Sequence, residues 1–433
     1  MNSSLPKQMK SLSNNLGGFR TASNLLACVV RRTLGLALTI ALVLPAVTRA
    51  QTADAATLQA LMKRLDELEA KAQRVDALES EIKVLKGVQA SYAPAEAPAP
   101  AAPVEKWPRV ELHVLGSLDY HMSNVTDETK QFQLGDIDVV ATARLNEQAS
   151  VVTDFVVASD QGGFSTEIER FVASYKFNDN FNLDVGRFHT AIGWYNNFYH
   201  NGTYFQTTTD RPEPFIFEDN GGILPVHSIG LSLNGEIPSG AANLSYSFEI
   251  ANGRNFSAGS VQKLSVEDDN NYKSFNFQLR AKPDALANWQ FSAGVYHDTL
   301  TPEVAPGVKP RVDQLIFSTS AIYKSSSFEW FTEGFAIGDA LRHERRHWTA
   351  AAYTQLSEKF GRLRPYVRLQ WRSAAEHDPV LELMGQNTSV WGPQVGVRYD
   401  FTSMMAAKFE IERSQYKNGP AVDEFNSQLA FRF

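Results

Sequence analysis

The sequence predicts an all-β protein: a transmembrane antiparallel β-barrel of about sixteen strands, preceded by a short α-helical coiled coil. Three observations lead there. From Arg109 onward the chain falls into alternating apolar and polar segments of about ten residues, the length of a tilted strand crossing a bilayer. The face opposite the apolar one is too ionic for a dry core, since it carries Asp136, Asp138, Arg144, Arg280, Arg364, Arg368, Arg372, Arg398, Lys408, Glu410 and Glu412. Such charges need water, which a lumen supplies. The final segment, Asn426 to Phe433, alternates strictly and stops on an aromatic, as a strand that closes a barrel would.

Totals narrow the class further. The 433-residue chain has a net charge of −7 at pH 7, so it lacks the basic surplus of a nucleic-acid binder. Residues 1–50 hold six basic residues (Lys7, Lys10, Arg20, Arg31, Arg32, Arg49) and no acidic ones, so their removal leaves a chain near −13. They read as an export signal. Arg31 and Arg32 precede the apolar run TLGLALTIALVLPAV, and Thr48-Arg49-Ala50 places small residues at the cleavage positions. Cys28 is the only cysteine, so a chain cut after Ala50 has no thiol for a disulfide or a thiolate metal site.

Residues 51–90 form the coiled-coil segment. Leu58, Leu61, Leu65, Leu68, Ala72 and Val75 follow a 3-4-3 spacing, and Leu78, Ile82 and Leu85 continue it after one change of phase. A lone helix of this kind exposes an apolar stripe, so it either self-associates or lies on a protein or membrane surface. Residues 91–108, rich in Pro and Ala, read as a semi-rigid spacer, and residues 109–433 as the barrel.

Within the barrel, sixteen strand centres fall near residues 115, 139, 155, 172, 184, 231, 247, 278, 293, 318, 332, 352, 368, 396, 410 and 429. Short turns such as 177–180, 283–288 and 324–327 alternate with longer connections near 189–225, 253–271, 299–312 and 374–390, the asymmetry of an outer-membrane barrel. Aromatics crowd strand ends (Tyr175, Phe177, Phe181, Trp289, Tyr323, Phe328, Tyr399, Phe401), as interface girdles do.

At this level of detail the chain resembles the porins of the phosphate-selective porin superfamily over most of residues 110–433. The resemblance is carried by FQLGDIDVVATARLNEQASVV (132–152), FNLDVGRFHTAIGWYNNFYHNGTYFQ (181–206), DRPEPFIFEDNGGILPVHSIGLSLNG (210–235) and the terminal strand. It implies a sixteen-stranded, trimeric barrel in the outer membrane of a Gram-negative bacterium, passing small solutes passively, with the coiled coil in the periplasm. It also implies that Phe433 is read by the outer-membrane assembly machinery. The matching loop region is poor in lysine, so phosphate selectivity does not carry over.

The residues expected to act follow from this. Arg364, Arg368 and Arg372 are spaced by four on one strand and face one way, an arginine ladder roughly 26 Å long. Arg398, Arg280, Lys408 and Glu410 are further lining candidates. The same arginines can instead brace the wall by pairing with Asp400, Glu410 and Glu412, and the sequence leaves both roles open. The long segment 189–225 is the candidate constriction, with His189, Arg211, Glu213, Glu218 and Asp219 as its ionisable residues. Its aromatics (Trp194, Tyr195, Phe198, Tyr199, Tyr204, Phe205) can equally cap the barrel mouth or pack against neighbouring subunits, and the sequence leaves both open. Two other classes stand beside a porin. One is an outer-membrane anchor that uses the coiled coil as a tether. The other is a hydrolase built on His189, His200 and His227 with Asp210, Glu218 and Asp219, for which no HExxH or GxSxG motif is present. No cofactor or metal is expected.

Overall fold

The computed structural model describes residues 107–433 apart from 161–162, 201–204, 218–220 and 256–266. The expected signal peptide, the coiled-coil helix and the spacer up to Lys106 lie outside the described residues.

The strands run in chain order around a single sheet. They are β1 (Arg109–Ser123), β2 (Gln131–Leu134), β3 (Ile137–Arg144), β4 (Ala149–Asp160), β5 (Gly163–Asn178) and β6 (Phe181–His189). Next come β7 (His227–Ile237), β8 (Leu244–Asn252), β9 (Lys273–Ala281), β10 (Trp289–Leu300), β11 (Val312–Lys324) and β12 (Phe328–Leu341). The last five are β13 (His347–Glu358), β14 (Leu363–Ser373), β15 (Val390–Asp400), β16 (Met405–Tyr416) and β17 (Ala421–Arg432). Segments β2 and β3 both pair with β1, through Leu118↔Leu134 and Leu115↔Asp138, so they are one stave interrupted at Gly135 and Asp136. The seventeen segments therefore make a closed antiparallel barrel of sixteen staves. Each expected strand centre lies inside one of them.

Closure occurs between the two ends of the chain. β17 pairs with β1 in the register Gly116↔Phe431 and Leu118↔Leu429. Val114 and Phe433 exchange both backbone hydrogen bonds at 2.9 Å. The terminal strand is thus tied down to its last residue, and no edge is left open.

Alternation does what the sequence foretold. On β14, Leu363 and Val367 are exposed on the outer wall, whereas Tyr366, Arg368, Gln370 and Arg372 are buried within the barrel. On β9, Phe275 and Phe277 point out, and Ser274, Asn276 and Gln278 point in. Short turns gather at one end of the barrel, and with them the aromatics. Tyr175 and Phe177 lie 4.8 Å apart between ring centroids, Trp289 and Tyr323 5.3 Å, and Tyr399 and Phe401 5.0 Å.

One face departs from apolar-out and polar-in. The inner face of β12 alternates acids with aromatics, in the order Glu329, Phe331, Glu333, Phe335, and all four are buried. Phe331 and Phe335, with Ile316 of β11 and Tyr353 of β13, form an apolar cluster inside the barrel. Its other half comes from the long connection between β6 and β7: Ile192, Trp194, Tyr195, Phe215, Ile223 and Leu224.

Candidate functional site

Of the β6–β7 connection, residues 190–200, 205–217 and 221–226 fold into the barrel and cross its interior. Its departure is written in the motif GRFHTAIG. Gly186 adopts φ +133° where a side chain would run into the carbonyl of Phe171, and Gly193 adopts φ +66° against Glu333 and Phe215. Only glycine takes both the conformation and the space without strain.

Two buried carboxylates then catch the first leg. Glu249 of β8 accepts the backbone N–H of Ala191 at 2.9 Å, while Asn276 and Gln278 of β9 donate to the carbonyls of Ala191 and Gly193 at 2.9 and 2.7 Å. Glu333 accepts the backbone N–H groups of Trp194 and Tyr195 and the hydroxyl of Tyr353. A helical turn at Tyr195–Phe198 follows. It places the Tyr195 ring on Phe215, with centroids 5.3 Å apart, and burial pushes the Tyr195 hydroxyl up to about 12. Aromatics of this size stabilise the docked loop by roughly 1.5–3 kcal/mol each.

The loop tip meets the expected ladder. Arg368, 1 % exposed, donates to the Asp210 carbonyl at 3.0 Å, to the Thr208 hydroxyl and to Gln355 at 3.1 Å. Lys408, fully buried, donates to the Thr208 carbonyl at 3.1 Å, and Arg398 to the Gln206 carbonyl at 3.1 Å and to Asp400 at 2.8 Å. Arg372 pairs with Glu213 of the loop at 2.7 Å, and Arg364 with Glu329 of β12 at 3.0 Å. Glu410 accepts from Thr209 at 2.7 Å and from Tyr366 at 2.7 Å. Arg280 stands apart on β9, donating to Ser247 at 3.1 Å and Gln278 at 3.3 Å. The sequence reading placed these inward charges in lumen water. Instead, loop oxygens and neighbouring side chains cover Arg368, Arg372, Lys408 and Glu410, because a folded loop offers carbonyl groups at fixed positions.

Among the constriction candidates, Glu213 sits in a short 3-10 turn, Glu213–Phe215, and its backbone N–H donates to Gln370 at 2.9 Å. Burial raises the Glu213 carboxyl above the usual glutamate range, against the pull of Arg372. Arg211 stacks 4.0 Å over the Phe217 ring and donates to the His200 carbonyl at 2.9 Å. Glu218 and Asp219 lie outside the described residues.

Two cavities flank the docked loop. One, of about 580 Å³, opens at the short-turn end and is lined by Lys359, Arg362, Arg398, Arg432, Asp400 and, from the loop, Phe205. Four cations face one carboxylate there. The other, of about 60 Å³, lies at the loop root beside Asp136, Asp138, Glu169 and His200. There His189, His200 and His227 converge, as the hydrolase reading required, but on Glu169 rather than on the acids it named. Asp210 is instead grouped with Glu410 and Glu412 at the loop tip. Alternation could have revealed Glu169. Ile168 and Phe171 of FSTEIERFV both face outward, three positions apart, which strict alternation forbids. A β-bulge opposite Asp154 and Phe155 supplies the extra residue, and that residue is Glu169.

No protein-family profile and no curated protein matches the chain. Solved structures do. The chain resembles OmpF of Salmonella typhi, solved with daunomycin, at TM-score 0.53 and 12 % identity, covering 75 % of this chain and 98 % of that one. It resembles an anion-selective porin from Comamonas acidovorans at TM-score 0.52 and 9 % identity, covering 75 % and 99 %. The outer-membrane channel DcaP of Acinetobacter baumannii superposes at TM-score 0.50 and 10 % identity, covering 75 % and 97 %. At such identities the likeness is one of architecture, and the barrel has the porin fold.

Proposed function

We propose that the chain is an outer-membrane porin that passes small hydrophilic solutes by diffusion, with a bias toward anions. The observation that carries this reading is the β6–β7 loop, which enters the barrel, crosses its interior and is held there by the wall's own charges. A barrel serving only as an anchor needs no such internal narrowing, and the tether reading is therefore the weaker one. The apolar outer wall and the aromatic ring contacts at the short-turn end support insertion in a bilayer. A relationship to the phosphate-selective porins rests on the segments quoted above, and a homotrimer on the coiled-coil heptads of residues 51–90 with the porin architecture. In this reading Arg368, Arg372, Arg398, Lys408 and Glu410 shape the constriction by fixing the loop, Arg364 braces Glu329 on the wall beside it, Arg280 lines its approach, and Lys359, Arg362 and Arg432 give the short-turn mouth its positive field. Phe433 is the residue offered to the assembly machinery. No catalytic role is assigned to any side chain.

The test is single-channel recording of the mature protein in a planar bilayer under a salt gradient. Openings in groups of three with an anion-favouring reversal potential are expected. Arg362→Glu, at an exposed position of the mouth, should move the reversal potential toward cations. A silent bilayer from a folded barrel would overturn the reading.

A further inference from the structure

The loop root holds a set of side chains that the diffusion pore does not use. Glu169 at the β5 bulge, His189 at the end of β6, His200 in the loop and His227 at the start of β7 bring one ligand atom each within 4.8 Å of the others. The His189 and His200 rings stack at 3.6 Å between centroids, and His200 and His227 meet edge-on at 4.5 Å. The Nε2 atoms of His189 and His200 are buried without a hydrogen-bond partner. Placing two such nitrogens side by side away from water is costly unless something binds them.

The tautomer of His200 follows from its neighbours. The Asn196 amide nitrogen donates to the carbonyls of Thr190 and Val226, both at 2.9 Å, so its oxygen faces the other way. That oxygen lies 2.8 Å from His200 Nδ1, nearer than the Arg211 Nη2 at 3.5 Å, and the shorter contact assigns the proton to Nδ1. His200 Nε2 is left as a lone pair aimed at Glu169, 3.6 Å from Oε2. An imidazole oriented by a carbonyl on one nitrogen and bare on the other is the arrangement found around metal ions. A tetrahedral ion with bonds of ~2.0–2.1 Å sets its ligand atoms roughly 3.3 Å apart, close to that separation. His227 Nε2 already contacts Glu169 Oε2. Asp136 and Asp138 line the adjoining cavity and add negative charge, while Arg187 donates to the Glu169 carbonyl at 3.1 Å.

We propose that Glu169, His189, His200 and His227 bind one divalent transition-metal ion of the zinc class, which pins the root of the pore loop to the wall. Three imidazoles and one carboxylate suit zinc and its neighbours rather than calcium or magnesium, which prefer all-oxygen sites. The ion would join three strands to the loop at the point where the chain leaves the wall.

The experiment uses the mature full-length protein, stripped with a chelator and titrated with Co²⁺. Its visible absorption reports tetrahedral nitrogen and oxygen ligation, and elemental analysis of the zinc-loaded protein gives the stoichiometry. One equivalent per chain is expected, lost in both His189→Gln and His200→Gln, with barrel integrity followed by heat-dependent gel mobility. Asn196→Ala, which removes the orienting carbonyl together with the amide's bonds to Thr190 and Val226 but no ligand, should weaken binding roughly 10–100-fold. If His200→Gln does not fold, Glu169→Gln serves in its place, because it keeps the shape and removes the charge. No Co²⁺ spectrum from folded wild type, or a stoichiometric one that survives both histidine variants, overturns the assignment. Neither result depends on conductance, so the metal site and the pore reading fail separately.

Discussion

The two ends of the β6–β7 loop are secured by different chemistry. At the tip, residues 206–213 present carbonyls and hydroxyls to Arg368, Lys408 and Arg398, and Glu213 to Arg372, so each cation has an acceptor within the protein, although Arg368 Nη1 and Arg372 Nε make no hydrogen bond. At the root, His189 and His200 converge on Glu169 with their Nε2 atoms unmatched by any hydrogen bond. Burying polar groups is tolerable only when they are satisfied, and the two ends meet that requirement in different ways. The tip is held by the chain itself. The root is complete only with a bound ion.

Breaking the tip should have the largest effect. Arg368→Met strips the buried guanidinium from among Asp210, Glu410 and Glu412 and frees the loop carbonyls it holds. Removing one partner of a buried ionic set costs about 3–5 kcal/mol, so the urea midpoint of the barrel should fall and single-channel conductance should rise as the loop comes loose. Unchanged conductance in the folded variant would show that the loop does not depend on this residue. Gly193→Ala should come next. The alanine must adopt φ +66° and displace Phe215 or Glu333, and a loss of about 1–3 kcal/mol is expected in the same urea titration.

A smaller effect tests the electrostatics of the tip. Burial raises the Glu213 carboxyl in the fold, so its ionised form is penalised. That penalty is full above the raised value, eases as pH falls through it and is gone below the unfolded value of ~4.3. This group should therefore make the barrel more stable as pH falls from neutral toward ~4.3, and Glu213→Gln should reduce that gain in melting temperature. The smallest effect is expected far from the loop. Arg413 and Asp423 pair at 2.6 Å on adjacent strands but are exposed, so Arg413→Ala should leave melting and conductance within error.

Much of the barrel was legible because strand alternation is local. Arg364, Arg368 and Arg372 share a parity, and pairing with β13 and β15 cannot change which face they occupy. The loop's entry was partly legible too. FEWFTEGF on β12 puts Phe331 and Phe335 on the polar face, which makes sense only if something apolar packs inside the barrel. The partners of the arginines were not legible. Arg368 and the Thr208 and Asp210 oxygens it binds are separated by some 160 residues, and the bonds to Asp210 and Thr208 depend on where the loop tip comes to rest.

The sequence by itself determined the barrel, most of the inward and outward sets, the position of the long connection and the terminal strand that closes the barrel. These follow from period two and from turn length, which act between near neighbours. Only the tertiary structure decided that the arginine ladder grips a loop instead of facing open water, and that three histidines meet at Glu169. Both require parts of the chain that are distant in sequence to converge, and in the second case the β-bulge turns a carboxylate inward where simple alternation has no place for it.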